Sequence, residues 1–223
     1  MAEWWTYTPK DFLLFSPRVY WRMFELHNEA FWPVHIAAML LGVGILAFVI
    51  YPHLRSRQGV AAMLALAWLW VAWSFLWTRY STINWAATYA AAAFALEALL
   101  LFGVFGLSGG VTFPETSSAR SKIGLALFLF ALFCYPAIAV LSGRSFRAAE
   151  VFGIAPDPTA IATLGILALG RGKAILLLLP VPFAWCLASW ATLHVMNSSA
   201  AWVPLIAAVL ALASYSRRSI RPA

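Results

Sequence analysis

The chain has 223 residues, of which 63% are hydrophobic and only 10% are charged, and its net charge is +7. A soluble domain of this size needs far more charge on its surface, so the composition excludes an ordinary water-soluble fold and indicates a membrane protein. The basic residues stand singly or in pairs at the ends of apolar runs. That distribution argues against a nucleic-acid-binding surface, which would need a continuous basic track.

The first 30 residues, 1–30, are predicted to form an interfacial segment along the membrane surface. Thr8 and Ser16 each precede a proline, which is typical of a helix start. Apolar residues then recur at helical spacing with charged residues between them, so we expect one or two amphipathic helices over residues 9–31. No basic segment leads into an apolar core, and a cleaved signal peptide is not expected.

Apolar runs then follow one another and predict an all-α, polytopic transmembrane helical bundle of about seven spans over residues 31–216. The last residues, 217–223, are predicted to form a basic cytoplasmic tail. The seven runs occupy residues 31–51, 60–77, 83–107, 123–141, 159–169, 174–193 and 201–215.

The basic residues of the connections predict the orientation of this bundle. With seven spans, nine Lys and Arg residues fall on the side of the C-terminus and six on the other side. The C-terminus is then cytoplasmic and the N-terminus lies outside. If the fifth run fails to cross, six spans remain, the basic residues divide eleven to four, and the N-terminus moves inside while the C-terminus stays cytoplasmic.

The fifth run is the shortest of the seven. A helix over residues 157–172 would reach only about 24 Å, less than a hydrocarbon layer of ~30 Å. We therefore expect the Asp157 end to lie below the headgroups, in a hollow lined by protein. Pro158 is predicted to occupy the first helical turn, and Asp157 is predicted to cap it by accepting the free amides.

Polar side chains gather on the outer side of this arrangement, and we expect them to form an outward-facing cavity above the start of the fifth helix. The candidate binding residues are Asn28, Glu29, His35, Asn84, Arg144, Arg147, Asp157, Thr159 and Thr163. In the alternative, the arginines of this region pair with its carboxylates and only tie loops together: Arg79, Arg144 and Arg147 with Glu29, Glu150 and Asp157.

Metal binding is only weakly indicated, by histidines near the same rim. Imidazole and carboxylate ligands together suit zinc or iron. The spacing is poor, however, because no HxxxH or HxH motif occurs, so neither a metal nor a cofactor is predicted. The weak candidate ligands are His27, His35 and His194.

Glu97 stands apart, in the inner half of the third run, with no basic residue within a turn or two. An ionisable side chain at that depth costs at least ~2.5 kcal/mol unless it is paired, protonated or hydrated, and by default it marks a functional position. Two hypotheses remain open. One is a proton or cation pathway from the outer cavity to Glu97, and the other is a protonated carboxyl that hydrogen-bonds to a neighbouring helix.

Short motifs follow one another along the chain in a characteristic order and spacing. They are Asn28-Glu29-Ala30-Phe31-Trp32-Pro33, Ile83-Asn84, Tyr135-Pro136, Phe152-Gly153, and the stretch from Pro156-Asp157-Pro158-Thr159 to Thr163-Leu164-Gly165. Together they resemble the DUF6064 family of bacterial membrane proteins, over almost the whole chain. The resemblance implies a small multi-pass protein of the bacterial inner membrane whose function is uncharacterised, and it supplies no catalytic residues.

A small-solute or ion transporter is the predicted function, because a short fifth helix, proline-kinked fourth and sixth helices and Glu97 suit a transport path. The alternative is a non-catalytic accessory or scaffold subunit of a membrane complex, which fits the tryptophan-rich helix faces. No nucleophile–base motif and no Walker loop occur, so an enzyme is not expected. The expected partners are the lipid bilayer, a small solute or ion, and other membrane subunits.

Overall fold

The computed structural model describes residues 13–51, 56–108, 110–113 and 119–216, and within these ranges the chain is helical, with one isolated β-bridge and no strand. This confirms the predicted all-α class. Residues 1–12 of the predicted interfacial segment and the predicted tail at 217–223 lie outside the described residues.

Ten α-helices follow one another in the described part of the chain. Their bounds are α1 Pro17–Phe31, α2 Val34–Ile50, α3 Arg57–Trp70, α4 Ala87–Leu100, α5 Ala119–Leu129, α6 Ala137–Leu141, α7 Pro156–Leu169, α8 Ile175–Leu178, α9 Pro180–Val195 and α10 Trp202–Ser216. Three of them continue into wider, π-helical turns: α3 through Val71–Trp77, α4 through Leu101–Leu107 and α5 through Phe130–Cys134.

Fewer helices are long enough to cross a membrane than the sequence predicted. Among the described residues, three helical stretches pass by length and hydropathy: Arg57–Thr82, Ala87–Leu107 and Ile175–Val195. The pair α1 and α2 would be a fourth if a bend of 89° is allowed within one span. Ser121–Cys134, Pro156–Leu169 and Ser199–Tyr215 are apolar but shorter. The sequence predicted these three helices as spans because hydropathy does not indicate where a helix ends.

Helix α1 lies across one end of the bundle. It begins where the sequence predicted, since the Ser16 side chain accepts the Val19 amide and Pro17 takes the first helical position. Its buried face packs onto the end of the α3 extension, with the Phe24 and Phe75 ring centroids 4.7 Å apart. We call this end of the bundle, where α7 also begins, the α1 end.

Helix α7 occupies the centre of the bundle, and all of its residues are buried. It packs against α3, α5, α9 and α10. At its crossing with α5 two glycines let the backbones touch, because a Cβ on Gly165 would lie only 2.7 Å from the carbonyl oxygen of Gly124. Small residues allow such close approach between apolar helices. The close crossing fixes the position of α7 relative to α5.

Candidate functional site

A buried carboxylate lies at the start of α7. Asp157 is only 2% exposed, and three side chains donate to it. The Trp185 indole Nε1 donates to Oδ1 at 2.7 Å. The hydroxyls of Tyr135 and Ser189 donate to Oδ2 at 3.0 Å and 2.6 Å. The donors come from the turn before α6 and from α9, so the carboxylate joins these elements to α7.

The predicted capping role of Asp157 is wrong. The helix begins at Pro156, Pro158 lies in the first turn as predicted, and Ala155 is the N-cap residue without a side-chain bond. The hydroxyl of Thr159 makes the local contacts instead, accepting the Gly153 amide at 2.9 Å and donating to the Ala155 carbonyl at 2.7 Å. Asp157 still lies in the first turn, where the helix dipole favours a negative charge.

An ion pair is buried beside this carboxylate. Arg144 Nη1 lies 3.1 Å from Glu150 Oε1, and both side chains are less than a tenth exposed. The guanidinium also donates to the Ser142 hydroxyl at 2.9 Å and lies 3.7 Å above the centre of the Trp21 ring. This is one of the loop-tying pairs that the sequence analysis left open as the alternative. Arg144 is therefore committed to holding the loop between α6 and α7 against α1.

The charge of this pair depends on pH. Burial raises the pKa of Glu150 to about 8, and the neighbouring Asp157 contributes in the same direction, whereas Arg144 lowers it. Because burial outweighs the ion pair, Glu150 binds a proton more readily in the folded protein than in the unfolded chain.

We expect the folded protein to lose stability as pH rises toward 8. Because the pKa of Glu150 is higher in the folded protein than in the unfolded chain, protonation of Glu150 stabilises the fold. This stabilisation is complete at pH values below the pKa of Glu in the unfolded chain, and it is lost as the pH rises through about 8. Melting temperatures of the purified protein between pH 5 and 9 would measure how steeply stability falls with pH, and Glu150→Gln should make this fall less steep. An unchanged slope in Glu150→Gln would contradict this assignment.

A small cavity of about 140 Å³ lies against the same cluster. Trp185 and Ser189, two of the donors to Asp157, form part of its wall. Small alanine side chains of α4 and α9 leave the space open. Its polar lining residues are Tyr20, Tyr80, Asn84, Trp185, Ser189 and Thr192. The Asp157 carboxylate thus lies behind the part of a mostly apolar wall that Trp185 and Ser189 form.

The predicted outer residues do not share one cavity. Asn28, His35 and Arg147 line a separate groove of about 480 Å³ beside α2, whereas Asn84 lines the small cavity. Glu29 is exposed. Thr163 lies inside the bundle, where its hydroxyl accepts the Trp68 indole at 2.8 Å. The sequence could predict that these side chains lie toward one end of the bundle, but it could not predict which of them line the same cavity.

The three histidines occupy different surroundings. His27 is buried between the rings of Phe31 and Phe75. The ring of His194 packs against Trp190 and Trp202, and His35 bonds to Asn28. Across the described ranges, no group of three or more His, Cys, Asp or Glu residues comes close enough to hold a metal ion.

Glu97 is completely buried on α4. Neither of its carboxyl oxygens has a hydrogen-bond partner among the residues that the structure describes. The predicted bond from Glu97 to a neighbouring helix is therefore not seen in the described residues. An ionisable group in such surroundings is costly, and its retention calls for a functional explanation.

Sequence reasoning missed most partners of Asp157. Trp185 and Ser189 are four residues apart on α9, a spacing that places both on one helix face. The spacing could have predicted that the two side chains share a face of α9, but it does not indicate which helix packs against that face. Tyr135 was noticed only as part of a motif, and Glu150 only as a possible ion-pair partner.

A family model described as "Family of unknown function (DUF6064)" matches residues 17–223 of the chain. No curated protein and no solved structure matches it.

Proposed function

The chain belongs to the DUF6064 family, whose function is unknown, and from its own geometry we propose that it transports a small cation or protonated amine through the cavity beside Asp157. This cavity is the outward-facing binding site of the proposal. The protein would lie in the bacterial inner membrane as a multi-pass protein, with its N-terminus outside and its C-terminus in the cytoplasm.

The apolar surface of the bundle supports a membrane location. Many large apolar side chains are exposed along the helices, including Leu40, Leu66, Leu99 and Val209, which are each more than half exposed. An exposed apolar surface of this kind marks contact with lipid or another protein. Helix α7 is too short to span by itself, and all of its residues are buried within the bundle, so its backbone is sheltered by protein.

The observation that carries the proposal is a buried carboxylate, Asp157, hydrogen-bonded to two residues that line a small cavity. Tyr80, Asn84, Ser189 and Thr192, which carry hydroxyl or amide groups, are among the residues that line that cavity, and oxygen atoms are the preferred ligands of hard cations. The Asp157 carboxylate makes the potential there favourable for a positive charge. A volume of about 140 Å³ is enough for an ion with several waters or for a small organic cation.

Uptake into proteoliposomes would test this function. With sodium, potassium and methylammonium as probes, we expect saturable uptake of at least one of them by the wild-type protein. Asp157→Asn should reduce that uptake by about tenfold or more, since it removes a charge worth at least ~1.4 kcal/mol at the site. Ser189→Ala should reduce it less.

Ser81→Ala is the matched control, because Ser81 lies at the same end but donates to the Trp77 carbonyl and does not line the cavity. Its uptake should equal that of the wild-type protein. If the wild-type protein takes up none of the three probes, or if Asp157→Asn retains full uptake while folded, the proposal fails. Co-purification of a stable partner together with absent flux would favour the accessory-subunit alternative.

A further inference from the structure

A second and larger groove lies at the α1 end. It measures about 480 Å³ and lies between α2 and the loop that joins α6 to α7. Its walls are mostly apolar, formed by Ile36 and Met39 on one side and by Pro136 and Val151 on the other. Such a groove is shaped for a hydrocarbon chain.

One end of this groove carries a free positive charge. The Asn28 amide donates to the backbone carbonyls of Arg147 and Ala149 at 2.7 Å and 2.8 Å, which holds the loop beside α1. In the part of the chain that the structure describes, the ion pairs are Arg22–Glu25 and Arg144–Glu150, so the Arg147 guanidinium has no carboxylate partner. The apolar groove therefore ends at an exposed cation.

Exposed aromatic side chains indicate the depth of this site in a membrane. Trp32 and Phe146 flank the groove and are 67% and 68% exposed. Trp77, Trp85 and Trp202 are also more than half exposed and lie where other helices end or begin at the same end of the bundle. Tryptophan side chains favour the boundary between hydrocarbon and headgroups. The groove is thus placed where a lipid presents both its phosphate and the start of its acyl chains.

We propose that this groove binds an anionic phospholipid, with its phosphate at Arg147 and an acyl chain along Ile36, Met39 and Pro136. The charge on Arg147 complements an anionic headgroup, and the apolar walls complement the chain. A free phosphate ion would use only the single guanidinium and none of the apolar surface. This assignment does not depend on transport through the small cavity.

Lipid binding to the purified protein would test the assignment. The delipidated protein would be exchanged with vesicles of phosphatidylglycerol or of phosphatidylcholine, and bound lipid would be counted by native mass spectrometry. We expect phosphatidylglycerol to be retained preferentially. Arg147→Gln should weaken its retention by about fivefold, the effect of one basic residue at an anionic lipid surface. Met39→Trp should reduce binding by filling the groove, which tests the site without changing its charge.

Arg18→Gln is the matched control, since Arg18 is an exposed arginine on α1 that does not line the groove. It should retain phosphatidylglycerol like the wild-type protein, and both arginine variants should keep the wild-type melting temperature in detergent. Displacement of the bound lipid by excess inorganic phosphate alone would show a simple anion site and overturn the proposal. Equal retention of the two lipids, or no effect of Arg147→Gln and Met39→Trp, would also overturn it.

Discussion

Gly165→Ala is expected to lower the free energy of unfolding by roughly 3 kcal/mol or more, at the upper end of what overpacking costs. A Cβ at this position would lie 2.7 Å from the Gly124 carbonyl oxygen and 2.8 Å from the Phe128 amide nitrogen. Both atoms belong to the backbone of α5, so no side chain can rotate away. Helix α7 would have to move as a whole, which disturbs every helix packed around it. Thermal unfolding in detergent would measure the loss.

Gly103→Ala provides the control for that substitution. Gly103 lies in the extension of α4, and among the described residues no atom beyond its chain neighbours and its own helical backbone lies within 4 Å of the position that its Cβ would take. The added methyl group should therefore be neutral or stabilising by up to about 1 kcal/mol, the difference in helix propensity between the two residues. If Gly165→Ala were as well tolerated as Gly103→Ala, the close crossing of α5 and α7 would be wrong.

The helical class could be predicted from the sequence, but the lengths of the helices could not. Hydropathy treats residues 123–141 as one run, whereas the chain turns at Tyr135–Pro136 and separates α5 with its extension from the short α6. Proline removes a backbone donor and clashes with the preceding turn, so the break has a local cause. The kink predicted at Pro136 coincides with this interruption, although Tyr135 and Pro136 both keep right-handed helical dihedral angles.

The candidate site could be predicted only in part, for a different reason. Asp157 was singled out as a polar residue at the start of the fifth run, and it is buried at the start of α7. Its partners Tyr135, Trp185 and Ser189 are 22, 28 and 32 residues away in the chain. Local signals such as proline and acidic residues suggested an N-terminal cap. Tertiary packing instead provided three side-chain donors, which a single sequence does not reveal.

The buried acids Asp157 and Glu97 have opposite surroundings. Asp157 accepts from three side chains, and Glu150 pairs with Arg144, so the cluster at the α1 end is well satisfied. Glu97 has no such partners in the described residues. A buried carboxylate with hydrogen-bond partners holds together the elements that supply those partners. A buried carboxylate without partners lowers stability and makes no such contact. Glu97 is thus the position where stability and function should conflict most clearly.

Glu97→Leu is accordingly expected to stabilise the folded protein by about 2 to 3 kcal/mol, the cost of an ionisable side chain inside an apolar bundle. Leucine fills a similar volume and leaves no polar atom without a partner. Glu97→Gln keeps a polar group at the same place and should show little of this gain, and Glu29→Leu, at an exposed position, should show none. Chemical unfolding in mixed micelles would measure the three free energies. If Glu97→Leu lowers stability instead, the carboxyl has a structural partner. If the variant is more stable and cation uptake by the protein is abolished, Glu97 is required for uptake and not for the fold.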